Sequence, residues 1–138
     1  HELEDEVPLK LGNLSCTPIP VNHVVPTHGF LIEKDGVGVL WSSDTGPTDR
    51  LWEVANSTRG LRAVCVDVSF DNSMQQIADD ARHLTPRTLE SELSKLEVDV
   101  PILLHHLKPV CAERVRSEVA ALDRPDISFL EQGQIYTF

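Results

Sequence analysis

This chain of 138 residues lacks long apolar runs, paired cysteines and a surplus of basic residues. No stretch approaches the roughly 18 apolar residues of a membrane span, and no secretory signal pattern is visible. The three cysteines, Cys16, Cys65 and Cys111, form no CxxC pair. Cys65 and Cys111 sit among apolar residues. They read as small buried thiols in a reducing compartment, so a cytoplasmic location is expected and no membrane partner is. Lys and Arg together number 12 against 22 Asp and Glu, a formal net charge of −10. Such a surface is short of the cations that displace nucleic-acid counterions, so broad nucleic-acid binding is not expected. A small anionic substrate stays open, because bound metal ions invert the local field of an acidic protein. The sequence begins at His1 rather than Met, which reads as a processed product or a fragment.

What is present is an ordered alternation of strand and helix signals, of a length that suits one domain. Residues 1–8 are acidic and expected to be mobile, and residues 9–138 to form a single unit. "LKLGNLSCTPIPVN" reads as strand broken by turn residues. "GFLIEKDGVGVLWSSD" is a hairpin whose Asp35-Gly36 supplies the positive φ angles of a tight turn. A helix should follow with Thr48 as N-cap, an apolar face at Leu51, Trp52, Val54 and Ala55, and a stop at Gly60. "LRAVCVDVSF" reads as a strand buried on both faces. Ser73-x-x-Gln76 looks like a capping box, with Met74, Ile77, Ala78 and Ala81 on a core stripe. Thr85-Pro86 opens a further helix with Leu89, Leu93 and Leu96 facing inward. "VPILLHH" is another buried strand. Val115, Val119 and Leu122 mark a last helix, and "ISFLEQGQIYTF" reads as a closing hairpin. The fold class expected is α/β, with parallel strands joined by helical crossovers.

Five of the six histidines lie in four short stretches, "VNHVVPTHGF", "SSDTGPTD", "DARHLTP" and "LLHHLKP". Three of these hold histidine, and the second holds Asp44. In a sheet with crossover helices, the carboxyl ends of the strands share one edge, where ligands bind. Asp44 and His106 each lie at such a strand end. Imidazole and carboxylate are the donors that zinc, manganese and iron ions take. No two of the candidates form a short ligand motif, so the pattern alone leaves a metal site and an ordinary scatter of histidines both open.

Taken together, the stretches resemble the C-terminal half of the metallo-β-lactamase fold superfamily. The nearest branches are the class II cyclic-nucleotide phosphodiesterases, with tRNase Z next. "HVVPTHGFLIE" is similar to their His-x-x-Pro-(Ser/Thr)-x-Gly-(Tyr/Phe) segment, which implies His23 as a metal ligand. "LWSSDTGPTD" resembles the (Gly/Ser)-Asp-Thr-x-Pro motif and implies Asp44 as the metal-bridging carboxylate. "DARHLTPRTL" is similar to their Gly-His-(Leu/Ser)-Thr segment, with Arg82 where glycine is usual. It implies His83 as a proton donor or phosphate contact beside the metals. "LLHHLKP" resembles His-x-Lys-Pro and implies His106 as the last ligand, with Lys108 contacting substrate. Asp67 stands where glutamate is common and would orient His83 from behind. His105 and His28 read as structural, and Arg82 as solvated.

The resemblance implies half of an αββα sandwich: one mainly mixed sheet with helices on one face. It also implies a phosphodiesterase with two divalent ions, zinc first and manganese or iron as alternatives. Its substrate would be a 3′,5′-cyclic nucleotide or another phosphodiester, attacked by a metal-bound hydroxide. The superfamily's His-x-His-x-Asp-His signature does not occur in this sequence. The chain by itself is therefore expected to hold metal weakly or not at all, and to be nearly inactive. Its open sheet face is expected to need the missing N-terminal half or a second copy as a homodimer. A tRNase Z-like endoribonuclease and a truncated, non-catalytic assembly or regulatory module are the alternatives. His23, Asp44, His83 and His106 are expected to gather at one sheet edge, with tips within roughly 8 Å, given two ions about 3.5–4 Å apart and a ligand bond on each side.

Overall fold

The computed structural model describes residues 3–138; the first two residues of the acidic N-terminus lie outside the described part. Seven strands form one sheet in chain order: β1 (Leu9–Leu11), β2 (Leu14–Val21), β3 (Thr27–Lys34), β4 (Val37–Trp41), β5 (Leu61–Asp67), β6 (Ile102–His105) and β7 (Ile127–Phe129). The first four pair antiparallel, and from β4 onward each neighbour runs parallel. The switch follows from the connections. β3 and β4 are joined by the two-residue turn Asp35-Gly36, at φ 51° and 80°, which only an antiparallel hairpin can use. After β4 each link carries a helix and returns the chain parallel: α1 (Arg50–Ser57), then α2 (Gln75–Ala81) with α3 (Pro86–Leu93), then α4 (Ala112–Ala120).

Side chains alternate across the strands and build two unequal cores. The larger joins Ile19, Leu31, Leu40, Val64, Val66, Ile102 and Leu104 of the sheet to Leu51 and Trp52 of α1, Leu89 and Leu93 of α3, and Val115 and Val119 of α4. The smaller lies on the opposite face, where Ala63, Cys65 and Leu103 are covered by Val39, Trp41, Leu130 and Tyr136. The observed architecture is a mixed α/β sheet with its helical layer on one face.

Several local expectations are corrected. The helix after the hairpin is preceded by Asp49 in αR geometry, with no side-chain cap, so Thr48 is not its N-cap. Thr48 instead gives its N–H to the buried Glu92 carboxylate. No Ser73–Gln76 capping box forms: Asp71 accepts from the Ser73 N–H and caps a 3-10 turn over Asn72–Met74, and α2 begins only at Gln75. Ile77 therefore points outward and is 50% exposed, while Ala78 is buried. The closing hairpin is absent: β7 pairs parallel with β6, and the residues after Phe129 form no strand. The Thr85-Pro86 start is as expected, with a reciprocal capping box between Thr85 and Thr88.

Candidate metal centre

Four chain segments meet at the carboxyl edge of the parallel strands. They are the loop before β3 with His23, the turn after β4 with Asp44, the α2 terminus with His83, and the end of β6 with His106. Each is brought there by the turn chemistry of its segment. Ser43 and His106 take positive φ angles of 54° and 68°, which bend the chain as it leaves β4 and β6. The α2 helix closes with Arg82 in the left-handed region. The His83 N–H reaches back to the Ala78 carbonyl and the Arg82 N–H to that of Asp79, the pattern of a Schellman end.

Asp67 lies beneath this edge, at the end of β5, fully buried. Its Oδ2 accepts from the Thr45 N–H at 3.0 Å and from His83 Nδ1 at 2.6 Å, and its Oδ1 accepts from the Ser69 hydroxyl at 2.7 Å. Burial alone would raise its pKa. The imidazole of His106 nearby and the hydrogen bonds from His83 and Ser69 outweigh that and hold it at about 2. Asp67 is thus a buried anion that fixes the His83 tautomer. With Nδ1–H spent on Asp67, Nε2 of His83 is left to face the opening.

The same logic sets the other rings. His23 Nδ1–H donates to the Arg82 carbonyl at 3.1 Å, which leaves Nε2 as a free lone pair. His106 Nδ1 lies 3.1 Å from Asp44 Oδ1, 3.1 Å from Ser69 Oγ and 3.7 Å from Asp67 Oδ1. This acidic surround, the Asp67 carboxylate first, raises the pKa of His106. Lys108 Nζ donates to His106 Nε2 at 3.0 Å and lies 5.9 Å from the centre of the Phe70 ring. His23 and His83 have ring centres 5.0 Å apart, and His83 and His106 5.1 Å.

The donors fit a divalent ion. One atom each from His23, Asp44 and His83 lie within 4.8 Å of one another, and so do atoms from Asp67, His83 and His106. His83 belongs to both groups, whereas the sequence-derived ligand set was His23, Asp44 and His106 with His83 beside it.

Two residues of the centre escaped the sequence reading. Ser69, fully buried, touches Asp67, His83 and His106 with one hydroxyl. Its only signal was its place two residues after Asp67. Arg82 is not merely solvated: its guanidinium donates to the His23 carbonyl at 2.7 Å. His105 points to the other face of the sheet and stacks on Trp41 at 4.3 Å and 10°. His28 pairs with Asp5, 2.6 Å away.

A family model described as "Beta-lactamase superfamily domain" matches residues 1–106. Among solved structures, the metallo-β-lactamase fold protein YhfI from Bacillus subtilis aligns with a TM-score of 0.77 at 16% identity, covering 96% of this chain and 53% of its own. Human tRNase Z, short form, aligns at 0.68 with 10% identity, covering 94% and 45%. A diphosphatase from the PhnP family aligns at 0.69 with 16% identity, covering 95% and 46%. The chain thus spans about half the length of these structures. No curated protein matches it by sequence.

Proposed function

Because the chain belongs to the β-lactamase superfamily domain family, with a metallo-β-lactamase fold, we propose that it carries one half of a divalent-metal phosphodiesterase centre. The observation that carries this reading is the convergence of His23, Asp44, His83 and His106 on one edge, above the buried Asp67. His23, Asp44 and His106 would hold the ions, with zinc the first choice for this mixed imidazole and carboxylate set. When bound, such ions supply Lewis acidity and a nucleophile at neutral pH.

The protein groups do the rest. Asp67 and Ser69 hold His83 so that its Nε2 faces the opening. From there it delivers a proton to a leaving alkoxide, its positive charge in that step stabilised by the Asp67 anion 2.6 Å away. Lys108 places an ammonium at the rim, suited to a phosphate oxygen. The substrate class we propose is a small phosphodiester, a 3′,5′-cyclic nucleotide in particular. Lys108-Pro109 favours it over RNA, as does the net charge of −10. A tRNase Z-like endoribonuclease is the second reading, favoured by the structural likeness to human tRNase Z. Three unpaired thiols suit a reducing, cytoplasmic setting.

The unit formed by residues 9–138 would be completed by a second layer. Its support is the outer sheet face, where apolar residues such as Ile32, Val39 and Phe138, with Glu33, Lys34 and Asp35 at one end, line an open groove of about 550 Å³. The N-terminal half of the sandwich, or a second copy of the chain, would cover it.

The test is hydrolysis of 3′,5′-cyclic AMP and of precursor tRNA with added Zn²⁺ or Mn²⁺. The chain alone should turn over cyclic AMP slowly, and D44N and H106A should abolish that turnover. Turnover that survives D44N would refute the assignment. Cleavage of precursor tRNA in preference to the cyclic nucleotide would move it to the second reading.

A further inference from the structure

Arg82 occupies the left-handed C-terminal position of α2, at φ 52° and ψ 60°, where glycine is the residue without strain. An arginine kept in that conformation needs a compensating interaction, and the structure contains one. The Arg82 guanidinium donates to the His23 carbonyl at 2.7 Å, while His23 Nδ1–H donates to the Arg82 carbonyl at 3.1 Å. The two residues are 59 positions apart and hold each other at two points. A third segment closes the junction. The Gly46 N–H bonds to the Asn22 carbonyl, and a Cβ at Gly46 would lie 3.3 Å from the Arg82 backbone. On the near side of His23 the loop is held at Asn22, whose amide donates to the Pro47 carbonyl; on the far side Val24 and Val25 are 55% and 58% exposed.

The geometry points to Arg82 as a positioning residue for the centre. Its side chain fixes the His23 loop, so that the loop's imidazole keeps Nδ1 on the Arg82 carbonyl and presents Nε2 to the ion. This rests on the metal-centre reading for its purpose but not for its geometry, since the clamp exists without an ion.

The experiment separates the two. Imidazole ¹⁵N NMR on the metal-free chain, at about pH 8 where histidine is neutral, reports the His23 tautomer and the solvent exchange of its ring proton. In the parent protein His23 should be mainly the Nδ1–H form with slow exchange. R82G keeps the backbone carbonyl and removes both the guanidinium and the left-handed strain. It should leave the thermal midpoint unchanged or higher, yet shift His23 toward a tautomer mixture with faster exchange. R82K, which retains one donor, should restore part of the parent behaviour. A Co²⁺ titration of the same variants should show about tenfold weaker binding in R82G, at the low end of losses for groups that orient metal ligands. If R82G leaves the His23 tautomer and exchange unchanged, the inference is overturned. If the NMR changes appear but no variant binds Co²⁺, the clamp stands and the metal reading falls.

Discussion

At the scale of single residues, the buried Asp67 carboxylate organises the centre, accepting from His83 Nδ1 at 2.6 Å and from the Ser69 hydroxyl at 2.7 Å. Asp44, His83 and His106 stand in recognisable segments, and their convergence follows from strand ends sharing one edge. Ser69 and Arg82 were illegible for a physical reason. A serine just past a buried strand and an arginine after a helix are common, and their roles depend on partners 14 to 59 positions away. His105 shows the opposite case, since alternation along β6 placed it opposite His106 from the start. Burial against Trp41 pushes its pKa down to about 4, with Asp67 opposing only in part. As pH falls below about 6.5, the unfolded imidazole takes a proton that the folded one refuses. His105 therefore destabilises the fold increasingly from about pH 6.5 down to about 4, with no further loss below. His106, whose pKa is raised, acts in the opposite sense. The informative quantity is therefore the difference between the parent protein and H105Q. In denaturant titrations across this window, the parent should lose stability more steeply, by up to about 1.4 kcal/mol per pH unit. Parallel curves would show that His105 titrates normally in the fold.

At the scale of elements, the alternating half of the chain was legible and its closing segment was not. β-rich runs separated by amphipathic helices leave little choice but parallel crossovers. "ISFLEQGQIYTF" has the alternation of a hairpin, but β7 finds its partner in β6 rather than in its own tail, and Leu130 donates its N–H to the Leu104 carbonyl. Tertiary pairing overrode a local signal. Ser73-x-x-Gln76 failed similarly, because Asp71, two residues earlier, was the better acceptor. The connection from α1 to β5 offers a test. Gly60 sits at φ 78°, its carbonyl accepts from the Gly38 N–H, and a Cβ there would lie 2.1 Å from the Gly36 oxygen. Backbone cannot yield as a flexible side chain would, so G60A should cost at least about 2 kcal/mol. Thermal unfolding will show it. A midpoint within a degree or two of the parent's would mean that the turn relaxes freely.

At the scale of the whole molecule, the two cores differ in how completely they are covered. Helices bury the first, while among the described residues the second has only the segment after β7 across it. Ile32 and Phe138 remain 37% and 45% exposed beside the outer groove. Unpartnered apolar sheet faces of this kind mark interfaces, so sedimentation at micromolar concentration should show self-association of the chain alone. Charged substitutions on the face, V39E for example, should return it to monomer. A monomer that stays soluble and unassociated would mean that residues 130–138 suffice as a cover. Among the described residues, no helix is long and apolar enough to cross a membrane.

The account turns on whether His23, Asp44, His83 and His106 gather in order to hold an ion. Titration with Co²⁺, followed by its ligand-field absorption, tests this without requiring turnover. The parent chain should bind about one ion, weakly and saturably, with the band of a low-coordinate site of nitrogen and oxygen donors. H23A and D44N should lose it, and an H28A control should keep it. Absence of saturable binding, or binding that H23A and D44N leave intact, would contradict the metal centre.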